Sequence, residues 1–118
     1  MDSKKKSYSL ALKIIKFIDN LDKKDLAVQI IAKQLLRSAT SIGANIIEAQ
    51  AGSTRKDFTN FFSYALKSAN ESKFWLYLLR DAKKANLEEV ELLIQETTEI
   101  ANILGSSILT LKKRKGNP

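Results

Sequence analysis

The stretch Gln34–Ala49, QLLRSATSIGANIIEA, decides the fold of this chain. Its apolar residues recur three and four positions apart, which is the spacing of one face of an α-helix. A row of polar side chains runs beside that face and includes Arg37, Asn45 and Glu48. A small bundle helix ordinarily keeps such groups on its solvent side. The pattern therefore predicts that they fix a packing arrangement or form a site.

The composition is that of one globular domain. The 118 residues are 44% hydrophobic and 28% charged, a balance that argues against wholesale disorder. No apolar run approaches the ~20 residues needed to cross a bilayer. The first ten residues, MDSKKKSYSL, lack the apolar stretch and cleavage site of a signal peptide. We expect a single cytoplasmic domain, residues 1–118, with no membrane association.

The sequence contains neither histidine nor cysteine. The absence of cysteine excludes disulfides, thiol nucleophiles and thiolate metal sites. The absence of histidine removes the commonest general base and the commonest transition-metal ligand. The four glycines are scattered, so the chain has no phosphate-cradling loop. These exclusions predict that the protein is not an enzyme and has no catalytic residues, no metal site and no cofactor.

The net charge of +7 is concentrated near the two ends of the chain. The segments at about residues 1–6 and 112–118 carry +2 and +4, which leaves about +1 for the body between them. Such basic tails attract phosphate backbones, with a strong dependence on salt, although they also serve simply to solvate a protein. The candidate nucleic-acid-binding residues are Lys4, Lys5, Lys6, Lys112, Lys113, Arg114 and Lys115.

Helical periodicity extends through the whole chain, and proline occurs only at position 118. Capping signals divide the pattern: Ser7, Asp22, Thr54 and Asn86 are the expected N-caps, and Gly52 is expected to end the second helix. Because short turns join antiparallel neighbours, we predict an all-α, antiparallel up-down-up-down four-helix bundle. The predicted helices are Tyr8–Asn20, Lys23–Gln50, Arg55–Ala85 and Leu87–Lys112.

Two features of the second and third helices concern packing. Gly43 lies inside a helix, where glycine costs about 1 kcal/mol relative to alanine, and this predicts a close approach by another helix. Apolar doublets also widen the apolar faces beyond what a small monomer buries easily. They predict a self-association interface, although a wide intramolecular core is the alternative. The doublets are Ile30-Ile31, Leu35-Leu36, Ile46-Ile47, Phe61-Phe62 and Leu78-Leu79.

A polar seam follows the second helix and continues on the third. If these helices form a hairpin about Gly52, Arg37 lies beside Glu71 and Ser38 lies beside Ser68. A buried Arg–Glu pair of this kind would cost about 3–5 kcal/mol to break from one side. Three interpretations are open: the seam fixes helix register, it binds a partner, or its acidic groups perform acid–base chemistry. Its members are Gln34, Arg37, Ser38, Ser41, Asn45, Glu48, Asp57 and Glu71.

Three motifs resemble those of a known family. They are LLRSATSIGANIIEA at Leu35–Ala49, the pair Asp57-Phe58, and Glu71 followed by Trp75-Leu76. Together they resemble the bacterial four-helix-bundle family of 23S rRNA intervening-sequence proteins, over nearly the whole chain. The resemblance implies a ring-like homopentamer. It also implies similarity to the accessory protein of diversity-generating retroelements, which binds nucleic acid and a reverse transcriptase.

These observations predict a non-enzymatic, oligomeric protein that binds RNA or another nucleic acid electrostatically through its basic tails. The alternative is a protein-interaction scaffold or accessory protein in which the polar seam docks a protein partner and nucleic acid has no role.

Overall fold

The structure, a computed structural model, describes residues 2–116 and the side chains of residues 2–113. It consists of four helices, α1 (Ser3–Asp19), α2 (Leu26–Ala51), α3 (Arg55–Asp81) and α4 (Leu87–Gly116). Each helix packs against two neighbours, in the order α1, α2, α3, α4 and back to α1. The predicted up-down-up-down four-helix bundle is thus confirmed. Its extents are 55 × 22 × 21 Å.

The core is a line of apolar side chains along the bundle axis, contributed by all four helices. On α2 the predicted face is buried from Val28 to Ala49, with Ala32 half-buried. On α4, Leu87 is 63% exposed. Leu87 is the first residue of α4, at the end of the bundle, and the buried line begins one turn later at Val90. Leu93 and Ile100 are buried as well.

The first helix begins earlier than predicted. Asp2, not Ser7, is the N-cap, because its carboxylate accepts the backbone N–H of Lys4 at 3.0 Å. Ser7 is buried inside the helix, and its hydroxyl donates to the Lys4 carbonyl at 2.9 Å. The first basic segment therefore lies within α1 and is not a tail.

Two other helix ends also differ from the prediction. Asp25, not Asp22, caps α2 by accepting the Val28 N–H at 3.1 Å. The third helix ends at Asp81 because Lys83 adopts a left-handed backbone, with φ of 58°. The Lys84 N–H then bonds the Leu79 carbonyl at 2.9 Å, closing a Schellman turn. No sequence signal marks this turn, since a lysine occupies the position that glycine usually takes.

The predicted caps Thr54 and Asn86 are confirmed. The Thr54 hydroxyl accepts the Asp57 N–H at 3.1 Å, and the Asn86 side chain accepts the Glu89 N–H at 2.9 Å. Gly52 ends α2 as expected, but its backbone is extended rather than left-handed. Glycine suits this position because a Cβ there would lie 3.2 Å from the Asp57 Cβ.

The close approach predicted at Gly43 is confirmed. A Cβ at Gly43 would lie 3.2 Å from the Ser7 hydroxyl, so α1 and α2 meet closely at this point. The apolar doublets do not share one wide core: Ile30, Leu36, Ile47 and Leu78 are exposed while their partners are half-buried or buried. No helix in the described part of the chain is long and apolar enough to span a membrane.

Candidate functional site

The polar seam centres on a network of four side chains that joins α2 to α3. The predicted pairing of Arg37 with Glu71 is present, with Arg37 Nη2 2.5 Å from Glu71 Oε2. The Arg37 guanidinium also donates to Gln34 Oε1 from Nη2 at 3.0 Å and from Nε at 3.3 Å. Trp75 Nε1 donates to the same Glu71 oxygen at 3.1 Å. We call these four residues the Arg37 network.

The Arg37 network lies at the bundle surface and not inside it. The side chains of Arg37 and Glu71 are 60% and 36% exposed. The cost of 3–5 kcal/mol expected for a buried pair therefore does not apply to the single chain. An ion pair with this exposure contributes about 0–1 kcal/mol, because water screens it and two long side chains lose freedom.

A pair of buried serines lies beneath the network. Ser38 Oγ and Ser72 Oγ are 2.8 Å apart, and the Ser72 hydroxyl also bonds the Ser68 carbonyl at 2.8 Å. Ser38 was predicted to lie beside Ser68, and its hydroxyl bonds that of Ser72, one turn further along α3. Ser38 faces the core, so it meets the buried Ser72, whereas Ser68 is only half-buried. The sequence did contain a signal for Ser72, because it is a serine within the apolar face of α3.

The other members of the polar seam do not join the network. Ser41 Oγ donates to the Arg37 carbonyl at 2.7 Å, and Asn45 Nδ2 donates to the Ser41 carbonyl at 2.9 Å. Both side chains thus bond to their own helix. Glu48 and Asp57 are exposed near the turn between α2 and α3. The structure therefore brings together three predicted residues, Gln34, Arg37 and Glu71, while Ser38 pairs separately with Ser72.

Large apolar side chains are exposed on the two helices that carry the network. Ile30 is exposed on α2, and Tyr64, Phe74 and Leu78 are exposed on α3. The rings of Phe74 and Trp75 meet edge to face, with centroids 4.9 Å apart. Aromatic residues and arginine are enriched in protein interfaces. This surface therefore has the composition of a docking face.

The network presents an exposed ion pair whose carboxylate is already engaged. Two donors, from Arg37 and Trp75, already engage one oxygen of the Glu71 carboxylate. Among the described residues, no group of three or more acidic side chains is placed to hold a metal ion. A satisfied, surface-exposed ion pair is suited to positioning a partner.

The two predicted basic segments lie apart along the bundle. Lys4, Lys5 and Lys6 occupy the first turns of α1, and Lys6 pairs with Glu99 at 3.2 Å. Lys112 lies thirteen residues beyond Glu99 on α4, which is about 20 Å at 1.5 Å per residue. Lys113 follows Lys112 and is exposed. The predicted side chains of Arg114 and Lys115 lie outside the described residues.

Sequence reasoning missed two basic residues that lie near Lys112. Arg55 and Lys56, in the first turn of α3, line a hollow of about 320 Å³ together with Lys112. They are more than fifty positions from Lys112 in the chain. The available signal was topological, since the start of α3 and the end of α4 lie at the same end of an antiparallel bundle. We call Arg55, Lys56, Lys112 and Lys113 the basic end.

Comparison with known families identifies the chain. A family model described as 23S rRNA-intervening sequence protein matches residues 1–106. The chain belongs to this family. The resemblance seen in the sequence motifs is thus confirmed. The match includes the whole Arg37 network and ends before Lys112, so Lys112 and Lys113 lie outside the matched residues.

A solved structure supports the same assignment. The crystal structure of a protein with unknown function from the S23 ribosomal protein family of Bacteroides thetaiotaomicron is similar to this intervening-sequence protein. It is 41% identical, the similarity covers 91% of this chain and 98% of that chain, and the TM-score is 0.81. A search of curated proteins finds no significant match.

Proposed function

We propose that this intervening-sequence protein is a non-enzymatic homo-oligomer that binds RNA through its basic end. The observation that carries the proposal is the convergence of Arg55, Lys56 and Lys112 on one hollow, with Lys113 next in the chain. Cations grouped in this way neutralise neighbouring phosphates and release counterions, and this yields affinity with little sequence preference. Lys4 and Lys5, at the start of α1, contribute a second and weaker contact.

Self-association would multiply that contact. The exposed apolar residues beside the Arg37 network supply a surface through which copies can pack. In the ring-like homopentamer that the family resemblance implies, every copy would contribute one basic end. Several weak phosphate contacts held in one assembly bind an RNA more tightly than one copy does.

The test is the salt dependence of RNA binding. The test variant combines three substitutions, Arg55→Glu, Lys56→Glu and Lys112→Glu. We expect it to bind a structured RNA more weakly and to show a smaller slope of log affinity against log salt. The slope falls by about 0.7–0.9 for each phosphate that the protein no longer neutralises. The control is Lys23→Glu with Lys24→Glu and Lys33→Glu, which changes the net charge equally. Equal reductions in the two variants would show that net charge alone governs binding and would contradict the proposal.

The second candidate function is a protein-interaction scaffold, favoured by the exposed Tyr64, Phe74 and Leu78 beside the Arg37 network. Light scattering with and without RNA separates the two candidates. An oligomer that gains mass with RNA and loses it as salt rises supports RNA binding. An oligomer that is indifferent to RNA, and that captures a protein partner after nuclease treatment, supports the scaffold.

A further inference from the structure

A groove of about 580 Å³ runs between α1 and α2, and it shares no lining residue with the Arg37 network or the basic end. Its floor is made of small residues, Ser7, Ala11, Gly43 and Ala44. Tyr8 and Ile47 also line it, and they are 68% and 52% exposed. Cavities of roughly 300–1,000 Å³ with mainly apolar linings are typical of small-molecule sites.

The groove follows from the close contact of the two helices. Gly43 lets the backbone of α2 approach Ser7 so closely that a Cβ would lie only 3.2 Å from its hydroxyl. With Ala11 and Ala44 beside this contact, no side chain fills the space above it. Tyr8 and Ile47 are therefore left as two large apolar side chains with a trough between them.

One end of the groove is positively charged. Lys4 and Lys5 line it, and within residues 2–113 neither ammonium has an ion-pair partner. By contrast, Lys6 on another side of α1 pairs with Glu99. The one carboxylate that lines the groove belongs to Asp2, which caps α1 through the Lys4 N–H. The groove thus combines an apolar trough with two ammonium groups at one end.

Three other hollows lack this combination. A hollow of about 730 Å³ at the start of α4 is lined by Glu88 and Glu91, so it disfavours anions. A hollow of about 360 Å³ between α1 and α4 is lined by both lysines and glutamates. The hollow at Arg55 and Lys56 belongs to the basic end.

We propose that the α1–α2 groove binds a free medium-chain acyl carboxylate. The acyl chain lies over Ala11 and Ala44 between Tyr8 and Ile47, and the carboxylate meets the ammonium groups of Lys4 and Lys5. The length is suitable, since the helix from Lys4 to Ala11 rises about 10 Å at 1.5 Å per residue. Charge complementarity selects a carboxylate over a neutral or cationic head group.

The experiment adds decanoate, as the probe, to the full chain. Calorimetry measures the affinity, and NMR shows which residues are affected. Decanol and decyltrimethylammonium are its uncharged and cationic analogues. We expect saturable decanoate binding with shifts confined to Ala11, Gly43, Ala44 and Ile47. Octanoate should bind more weakly, by up to roughly fourfold for each methylene removed. The cationic analogue should bind at least tenfold more weakly than decanoate.

Two variants and a control locate the site. Lys4→Glu with Lys5→Glu should weaken decanoate binding at least tenfold and leave decanol binding unchanged. Ala44→Leu should weaken both, because the new side chain fills the trough above an exposed position. Lys23→Glu with Lys24→Glu makes the same change in charge at the other end of α1. This control should change neither the affinity for decanoate nor the affinity for decanol. Circular dichroism establishes that each variant is folded.

Three results would overturn the proposal. The first is NMR shifts that spread over exposed leucines outside the groove, or an affinity for the cationic analogue equal to that for decanoate. The second is binding to vesicles of anionic phospholipid without binding to free decanoate, which would make the groove a membrane-facing surface. The third is an absence of decanoate binding together with a lower assembly mass for Ala44→Leu, which would make it an interface between copies.

Discussion

At the scale of single residues, position on the bundle decides what each polar group contributes. Arg37 and Glu71 form a surface pair, whereas Ser38 and Ser72 form a buried one. Water competes for the first pair and is excluded from the second. We therefore expect the buried serines to fix the register of α2 against α3 more firmly than the ion pair does.

The Arg37–Glu71 pair is testable by a double-mutant cycle. We expect Arg37→Met and Glu71→Gln to show a coupling free energy below about 1 kcal/mol in urea unfolding of the single chain, because both side chains are exposed. Glu71→Gln retains an acceptor for Trp75. A coupling of about 3 kcal/mol would show that the pair is buried, which would place it inside an assembly interface.

The serine pair should behave differently. We expect Ser38→Ala and Ser72→Ala each to lower the free energy of unfolding by about 1 kcal/mol, since each deletes one partner of a buried hydrogen bond. The double variant should be destabilised by clearly less than the sum, because neither hydroxyl is then left without the other. The comparison is made by thermal and urea unfolding. Strictly additive effects would contradict direct contact between the two hydroxyls.

At the scale of helices, the ends differ from the sequence prediction more than the faces do. The faces were predictable because burial follows the helical period directly. The ends depend on which of several nearby polar residues caps the helix, and Asp25 does so in place of Asp22. Asp25 also bonds Lys84, 2.6 Å away in the α3–α4 turn. A contact between residues so distant in the chain leaves no local signal.

The Asp25–Lys84 contact gives a pH prediction. The Lys84 hydrogen bond, aided by the Val28 N–H, holds the pKa of Asp25 below its usual 3.8. A carboxylate with a lowered folded pKa contributes stability above about pH 3.8, and this is lost as pH falls through the folded pKa. We expect Asp25→Asn, which preserves a capping side chain, to reduce the loss of Tm between pH 5 and pH 3.

The pKa of Lys84 is shifted in the opposite direction to that of Asp25, and a variant of Lys84 provides the control. Its bond to Asp25 raises the pKa of Lys84 above 10.5, so its contribution is present below that pH and is lost as pH rises through the folded value. Lys84→Met should reproduce part of the acid behaviour of Asp25→Asn, because the Val28 N–H still bonds the Asp25 carboxylate. If both variants lose Tm on acidification as steeply as the unmodified chain, the contact does not contribute to stability.

At the scale of the whole molecule, the bundle and much of its core could be predicted from the sequence, and its surfaces could not. Helical period, caps and short turns determined the four helices and their order. The pairing of Arg37 with Glu71 followed from the hairpin alone. By contrast, the basic end unites Arg55 with Lys112 through topology, and the exposure of the Arg37 network depends on how far α2 and α3 rotate about their axes.

The exposed apolar residues beside the Arg37 network give a prediction about assembly. We expect Ile30→Glu with Leu78→Glu to reduce the mass measured by light scattering towards the 13.3 kDa of one chain. The reason is that two buried charges oppose packing across that surface. The control is Leu87→Glu with Leu109→Glu, at leucines exposed on α4. An assembly that survives the first variant and not the second would place the interface on α4.

The unequal lengths of the helices have a consequence for motion. Since Lys6 of α1 lies opposite Glu99, residues beyond about 103 of α4 extend past the start of α1 and have α3 as their neighbouring helix. Amides in the last described turns should therefore exchange with deuterium sooner than those near Ile100, in the four-helix part of the bundle. Breathing of this segment would move Lys112 relative to Arg55 and, under the proposed function, would adjust the spacing of the two charges to a phosphate backbone.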